Sequence, residues 1–338
     1  MRNLASAVTD SLISLANSHS VKNFILAVDP PSPPRGLEGA VVAIGNFDGV
    51  HRGHLAVIKR AEALALRLGR PCAALTFEPH PTDFFRGENT IFRLTSLEAK
   101  AKAFERLGLD GMIVIPFDKV IAALTAEQFV EEVLLRRLDV RAIVAGYDFH
   151  FGAKRGGTPA FLKESGDRHG FEVEIVERVC AEGSSAIEAA SSTATRAALE
   201  TGDVEHAARL LGHPFSIMGE VLHGQKLGRT LGFPTANLQP GPNCRLRHGI
   251  YAVRVEVGHA LYDGVASFGR RPTVDNGQPL LEAYLFDFSG DLYGKTIEVF
   301  FLGWIREEVK FLSLDALTEQ IKSDAARAKE ILQGPTSI

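Results

Sequence analysis

The chain has 338 residues, 45% hydrophobic and 23% charged, a soluble globular composition with room for about two domains. A formal net charge of -4 gives no electrostatic footprint for nucleic acid or an anionic membrane, so phosphate binding has to be local. Cys72, Cys180 and Cys244 are too dispersed for a disulfide framework or a zinc knuckle and fit a reducing cytoplasm, and no window approaches a membrane span.

Residues 1–38 end in the breaker-rich DPPSPPRG and read as a leader, so the first domain is expected to start at Gly39. Residues 40–44 are a short apolar run of buried-strand type that feeds GNFDGVHRGH. Leu55, Ile58, Ala61, Ala65 and Leu68 then recur at helical steps until Gly69 and Pro71 stop them. Strands are expected at 72–77, 111–115, 141–145 and 171–176. Between them lie helices opened by Thr95 with Glu98 and by Thr125 with Gln128, both capping-box patterns. Strand alternating with helix predicts a parallel sheet covered on both faces.

A helix over 203–211, ended by Gly212-His213-Pro214, marks the expected boundary between domains at 39–212 and 213–338. Beyond it, 251–257, 263–267, 280–286 and 296–302 are short β-branched or aromatic runs separated by turn residues, the composition of a barrel or sandwich. Residues 313–332 place Leu314, Leu317, Ile321, Ala325, Ala328 and Leu332 on one helical face, expected to pack on that barrel.

Two stretches carry chemistry. Gly45-Asn46-Phe47-Asp48-Gly49 turns a strand into a helix near His51, aiming backbone N–H groups and a positive helix end at the strand's carboxyl edge. His51 and His54, three apart, lie on one side of the first helical turn, and Gly53 leaves room between them. The same spacing occurs in zinc sites, but no third ligand stands in a zinc pattern. The second stretch is GEVLHGQKLGRTLGFPTANL at 219–238. Its Gly224, Gly228 and Gly232 permit close approach of a nucleotide, and Arg229 offers a fork of donors. Proline stiffens the end, where Thr235 and Asn237, two apart, point the same way and can address one ion. Loop composition alone also fits a Gly-Pro-rich hairpin without ligand. Glu282 shares a strand face with Tyr284 and Phe286, aromatics that disfavour its charged form and suit it to accept a proton, although glutamate on a strand ordinarily just faces solvent.

GNFDGVHRGH resembles the HxGH signature of the nucleotidyltransferase superfamily, in the form found in bacterial FMN adenylyltransferases. TFEPHP at 76–81, RLTSLEAK at 93–100, GYDFHFGAKRGGT at 146–158 and SSTATRAAL at 191–199 match that family in order and approximate spacing. HGQKLGRTLGFPTAN is similar to the riboflavin kinase module, as are GVASFGRRPTV at 264–274, EAYLFDF at 282–288, DLYGK at 291–295 and the RxExKF pattern at 306–311. The sequence is thus identified as a member of the bacterial bifunctional riboflavin kinase/FMN adenylyltransferases, or FAD synthetases.

The resemblance implies a Rossmann-like α/β nucleotidyltransferase domain followed by a small Greek-key β-barrel with a C-terminal helix. It implies phosphorylation of riboflavin to FMN, then transfer of AMP from ATP to FMN, giving FAD and pyrophosphate. ATP is co-substrate, Mg2+ the metal, and riboflavin, FMN and ATP the small-molecule partners, with no nucleic acid or membrane and a homo-oligomer left open. By the same resemblance His51 and His54 contact the ATP phosphates, while Arg196 with Ser192 and Thr193 holds the leaving pyrophosphate. Gly45, Phe47, Asp48 and Asp148 fall in the nucleotide and flavin region, and Asp148 reads equally as a turn former. Gly224, Gly228, Arg229, Gly232, Thr235 and Asn237 belong to the kinase loop, with Thr235 and Asn237 serving Mg2+ and ATP. Glu282 is the catalytic base and Arg306 a helper near flavin or nucleotide. The sequence departs from the family at Ala190, Thr195, Ser267, Tyr284 and Phe286. The alternative is a riboflavin kinase whose N-terminal domain only binds nucleotide or regulates.

Overall fold

The computed structural model describes residues 23–87, 90–179, 190–224, 231–270 and 279–334. The chain forms two compact units. One holds the described residues up to Ile91 together with Leu97–Ala190, and the other holds Phe92–Ser96 and Ser191 onward.

The first unit is built on strands β1 (Ile25–Val28), β2 (Val41–Ile44), β3 (Cys72–Glu78), β4 (Gly111–Pro116), β5 (Ala142–Gly146) and β6 (Glu172–Val176). They form one sheet in the order β1-β4-β3-β2-β5-β6 with every pairing parallel. The helices are α1 (Arg52–Leu68), α2 (Pro81–Arg86), α3 (Leu97–Arg106), α4 (Lys119–Ala123), α5 (Ala126–Gln128) and α6 (Pro159–His169). Thr125 and Gln128 close the expected capping box on α5, but the helix continues as a π-helix over Phe129–Arg137. All four residues of β2 are buried, as a strand covered on both faces requires. One face packs Val42, Ile44, Leu75 and Ile113, the other Val41, Ala43, Ile58 and Val114.

The leader expectation fails at β1. Residues assigned to a leader pair with β4, Ile25 opposite Gly111 through Val28 opposite Val114, and Leu37 is fully buried, so the unit begins upstream of Gly39. DPPSPPRG is part of the crossover from β1 to β2 and not a tether. Gly111 is required here, because a Cβ would stand 2.6 Å from the Ile25 carbonyl oxygen.

The second unit opens with α7 (Ser192–Thr201) and α8 (Val204–Leu211). Strands β7 (Ser216–Glu220), β8 (Thr235–Leu238), β9 (Gly249–Val257), β10 (Ala260–Arg270), β11 (Pro279–Leu285) and β12 (Thr296–Arg306) follow, then α9 (Leu314–Gln333). The strands make a six-stranded sheet, order β7-β12-β9-β10-β11-β8, antiparallel throughout. Its concave face buries Val253, Val255, Phe268, Leu281, Leu285 and Phe301 in the same cluster as Leu199, Val204 and Leu211 of the two helices. The division therefore falls before α7, not at residue 212, because α7 and α8 spend their apolar faces on the barrel. Phe92 and Leu94 join the same core, Phe92 meeting Phe215 edge to face at 6.0 Å.

Helix α9 is capped by Ser313, whose hydroxyl accepts from the Ala316 N–H. It packs through Ala325, Ala328, Ile331 and Leu332, while Leu314, expected on that face, is 56% exposed. Among the described residues no helix is long and apolar enough to cross a membrane.

Candidate active sites

In the first unit, β2 lies between β3 and β5, so the strand order reverses direction across it. A crevice at the carboxyl ends of β2 and β5 is where open α/β sheets take ligands. Here β2 runs into the Gly45–Gly49 turn and β5 into Tyr147-Asp148. Phe47 is held at φ 51 and Gly49 at φ 88, left-handed angles that let the chain reverse into α1 within a few residues. His51 caps α1, its Nδ1 accepting from the His54 N–H at 3.3 Å, and no acidic residue lies in the first turn to repel an anion.

The two imidazoles stack at 3.6 Å, and His54 also meets the edge of Phe47 at 5.2 Å. His54 Nδ1 is buried without a hydrogen-bond partner among the described residues. Burial first, then the positive character of His51 and Lys100, holds the His54 pKa well below the usual histidine value. His54 is therefore a neutral ring at physiological pH. Gly53 is demanded by the stack: a Cβ would sit 3.1 Å from the His51 ring and 3.5 Å from the Ala190 carbonyl oxygen.

The other predicted residues of this unit divide into two groups. Phe47 and Asp48 are 1% exposed, so they support the turn from beneath and do not line its surface. Gly45 is partly exposed, and its position beside the Phe47 ring leaves the strand end open to a ligand. Asp148 is exposed at the end of β5, its Oδ1 over Gly146, where the missing side chain admits it.

In the second unit, Ser191 caps α7, with its hydroxyl accepting from the Ala194 N–H at 3.2 Å. Ser192 and Thr193 occupy the first turn, Ser192 half-buried and Thr193 exposed. Arg196 Nε donates to the Phe92 carbonyl at 2.6 Å, which fixes the base of the guanidinium. Thr195, the departure from an apolar residue, is fully buried, and its hydroxyl donates to the Ser191 carbonyl at 3.0 Å. The helix absorbs that hydroxyl locally.

The barrel brings a second group together by register. Asn237 on β8 stands opposite Glu282 on β11, Glu282 opposite Ser267 on β10, Ser267 opposite Ile250 on β9, and Ile250 opposite Arg306 on β12. Directly opposed residues share a face, so Asn237, Glu282 and Ser267 are neighbours in one row, with Thr235 and Tyr284 paired in the next. The alternation expected for Glu282 is present, since Leu281, Ala283 and Leu285 are core and Glu282 and Tyr284 are partly exposed.

Asn237 is 6% exposed and its Oδ1 has no donor among the described residues. Gly224 packs against that amide, and a Cβ there would stand 2.9 Å from Asn237 Cγ. Gly232 supplies a positive φ of 87 ahead of Pro234. Gly228 and Arg229 lie outside the described residues.

Arg306 is placed otherwise than expected. Its Nε and Nη2 donate to Asp324 of α9 at 2.8 and 2.6 Å, and Nη1 donates to the Glu307 carbonyl. The fork straps the barrel to its C-terminal helix. With the Asp324 side chain 6% exposed, Arg306→Met leaves a buried carboxylate without its cation, a loss of about 3 kcal/mol. Urea unfolding followed by fluorescence of the sole tryptophan, Trp304 on β12, reads this out, and Arg306→Met with Asp324→Leu together should recover most of it.

Glu308 is a residue that spacing did not single out. Its carboxyl accepts from the Ser267 hydroxyl at 3.3 Å and lies where a side chain at Gly269 would collide with it. Burial foremost, with Glu282 adding, raises its pKa, against the pull of His248, Ser267 and Arg306.

Comparison with known proteins agrees with this arrangement. Residues 34–193 match the FAD synthetase family and residues 211–332 the riboflavin kinase family. The bifunctional riboflavin kinase/FMN adenylyltransferase of Haemophilus influenzae is 42% identical over 296 residues, covering 87% of this chain and 95% of its own length. That of Escherichia coli K12 is 41% identical over 294 residues, covering 87% and 93%. This chain belongs to the bifunctional riboflavin kinase/FMN adenylyltransferase family.

A solved Streptococcus pneumoniae structure, described as a macrolide-efflux protein, matches with TM-score 0.77 and 31% identity over 92% of this chain and 99% of its own. Membership supports the two-step reading and not the kinase-only alternative, because both enzyme families are matched. The chain is a transferase of both kinds.

Proposed function

We propose that the division of labour follows the two units: the parallel-sheet unit adenylylates FMN, and the barrel phosphorylates riboflavin. The observation that carries this is that each unit has its own phosphate-handling geometry, a stacked imidazole pair at a strand-to-helix turn in one and the Asn237–Glu282 row in the other. In the first, an oxygen of the FMN phosphate attacks the α-phosphorus of ATP and the bond to pyrophosphate breaks, with no enzyme-bound intermediate. The work of the protein is positioning and charge stabilisation. The α1 N-terminus and Gly45 seat the triphosphate, His51 and neutral His54 steady the charge passing to pyrophosphate, and Asp148 addresses nucleotide or flavin from β5. Arg196, Ser192 and Thr193, at the start of α7, offer a guanidinium and hydroxyls of the chemistry that suits pyrophosphate.

In the barrel, Glu282 takes the proton of the riboflavin 5'-hydroxyl as its oxygen attacks the γ-phosphorus and ADP leaves. Gly224, Gly228, Arg229 and Gly232 form the nucleotide loop, and Arg306 acts through the Asp324 strap. The residues present fit Mg2+: a hard cation prefers oxygen donors, and Asn237 Oδ1 is a buried oxygen without a donor among the described residues. Thr235 and Asn237 would hold it, and it would there offset the charge of the ATP phosphates. Buried Cys72 and Cys244 support a reducing, cytoplasmic setting.

Incubation with riboflavin and MgATP is expected to yield FMN and then FAD by chromatography. Absence of both products removes the proposal, and FMN without FAD, even from supplied FMN, would favour the kinase-only alternative. Asn237→Leu keeps the volume and removes the oxygen. It is expected to raise the Mg2+ concentration for half-maximal riboflavin phosphorylation roughly 10-fold or more, equivalent to about 1.4 kcal/mol. An unchanged Mg2+ titration would separate Asn237 from the metal.

A further inference from the structure

Lys100, on α3, has none of its surface exposed, a rare situation for lysine. Its ammonium donates to the Asn46 main-chain oxygen at 2.8 Å and to Thr76 Oγ1 at 3.3 Å. Thr76, also fully buried, donates its own hydroxyl to the same Asn46 oxygen at 3.2 Å. Asn46 belongs to the turn that presents His51 and His54, and Thr76 to the carboxyl half of β3. The cation thus lies under the floor of the phosphate seat.

Burying an ammonium costs several kcal/mol, and an apolar side chain of similar volume is often as stable or more so. Thr76 ties β3 to the same carbonyl. A hydrocarbon would lack both the donor that holds the Asn46 carbonyl and the cation that bears on His54.

We propose that Lys100 is a positioning residue of adenylyl transfer: it anchors the Asn46 carbonyl beneath the seat, so that the turn and both imidazoles meet the triphosphate in reactive geometry. It acts through the turn and through His54, without touching substrate. The inference rests on assigning adenylyl transfer to the first unit. Among the described residues, the charged groups that act on His54 are His51 on its own helix and Lys100 from α3.

The test uses the full chain, assayed for FAD from supplied FMN and MgATP and, in the same preparation, for FMN from riboflavin. Lys100→Met should lower kcat for FAD formation on the order of 100-fold, the cost of a displaced reacting group, while KM for ATP changes little and riboflavin phosphorylation continues. The acid limb of its FAD pH profile should move to higher pH, because a cation that discouraged protonation of His54 is gone. Lys100→Ala should regain turnover when ethylamine is added. Undiminished FAD turnover in Lys100→Met overturns the inference. So does a loss in which the acid limb stays in place and ethylamine restores nothing. If Lys100→Met also loses the kinase step, ethylamine recovery in Lys100→Ala decides alone. His54→Ala run alongside separates the two levels: retained FAD formation there removes the underlying site assignment, whereas a dead His54→Ala beside an unaffected Lys100→Met removes only the role of Lys100.

Discussion

His54→Ala is expected to lower FAD formation from FMN by roughly 10²- to 10³-fold, the cost of one well-placed donor to developing charge, while FMN formation from riboflavin is retained. The ring is confined on two sides, by His51 at 3.6 Å and by Phe47 at 5.2 Å, so alanine removes a group that cannot be replaced by a neighbour's rotation. His51→Ala should lose in addition the cap of α1, through the bond from the His54 N–H. The pH behaviour has a definite sign. Because His54 titrates well below an ordinary histidine, it stays neutral through the physiological range, and FAD formation should persist into mildly acidic buffer. For stability, the unfolded chain binds a proton at His54 below about pH 6.5 while the folded chain does not, so this group destabilises the fold increasingly as pH falls under that value. The comparison of FAD and FMN yields by chromatography is decisive: loss of both products in folded His54→Ala protein would end the assignment of separate sites.

What could be read from the sequence was local or periodic. The strand–turn–helix around Gly45–His51 was legible because a buried run, glycines and histidine spacing lie within a dozen residues. The facing of Thr235 with Asn237, and of Glu282 with Tyr284, followed from a period of two, which register then preserves. Long-range partners left no such trace. Arg306 finds Asp324 eighteen positions later, so its fork was assigned to a ligand when it belongs to a strap. Residues 25–28 looked like part of a leader because four residues before a proline-rich run give too short a pattern, yet a parallel partner at Gly111 makes them a strand. Phe92 lies inside the stretch expected as the first domain, 39–212, but spends its ring on Phe215. Lys100 was visible only as the end of a motif, since the burial of a lysine depends on what α3 covers.

Glu282→Gln carries the other large expectation: riboflavin phosphorylation reduced roughly 10²- to 10⁴-fold, the usual contribution of a positioned base, with FAD still formed when FMN is supplied. The substitution is close to isosteric, so the Leu281–Leu285 core beneath and the pairing with Asn237 and Ser267 should hold, and loss of turnover would report the proton acceptor itself. Three neighbours sharpen this. Asn237 is where the metal is proposed, Ser267 links the row to Glu308, and Tyr284 takes the place of the family's histidine in the adjacent pair. If Glu282 serves as base, kcat should fall while KM for riboflavin moves little, because proton removal matters in the transition state and not on binding. A solvent-facing glutamate with no part in the reaction would leave both constants at the parent values, and that outcome would transfer the proton to another group, with Glu308 a carboxylate tied to the row through Ser267.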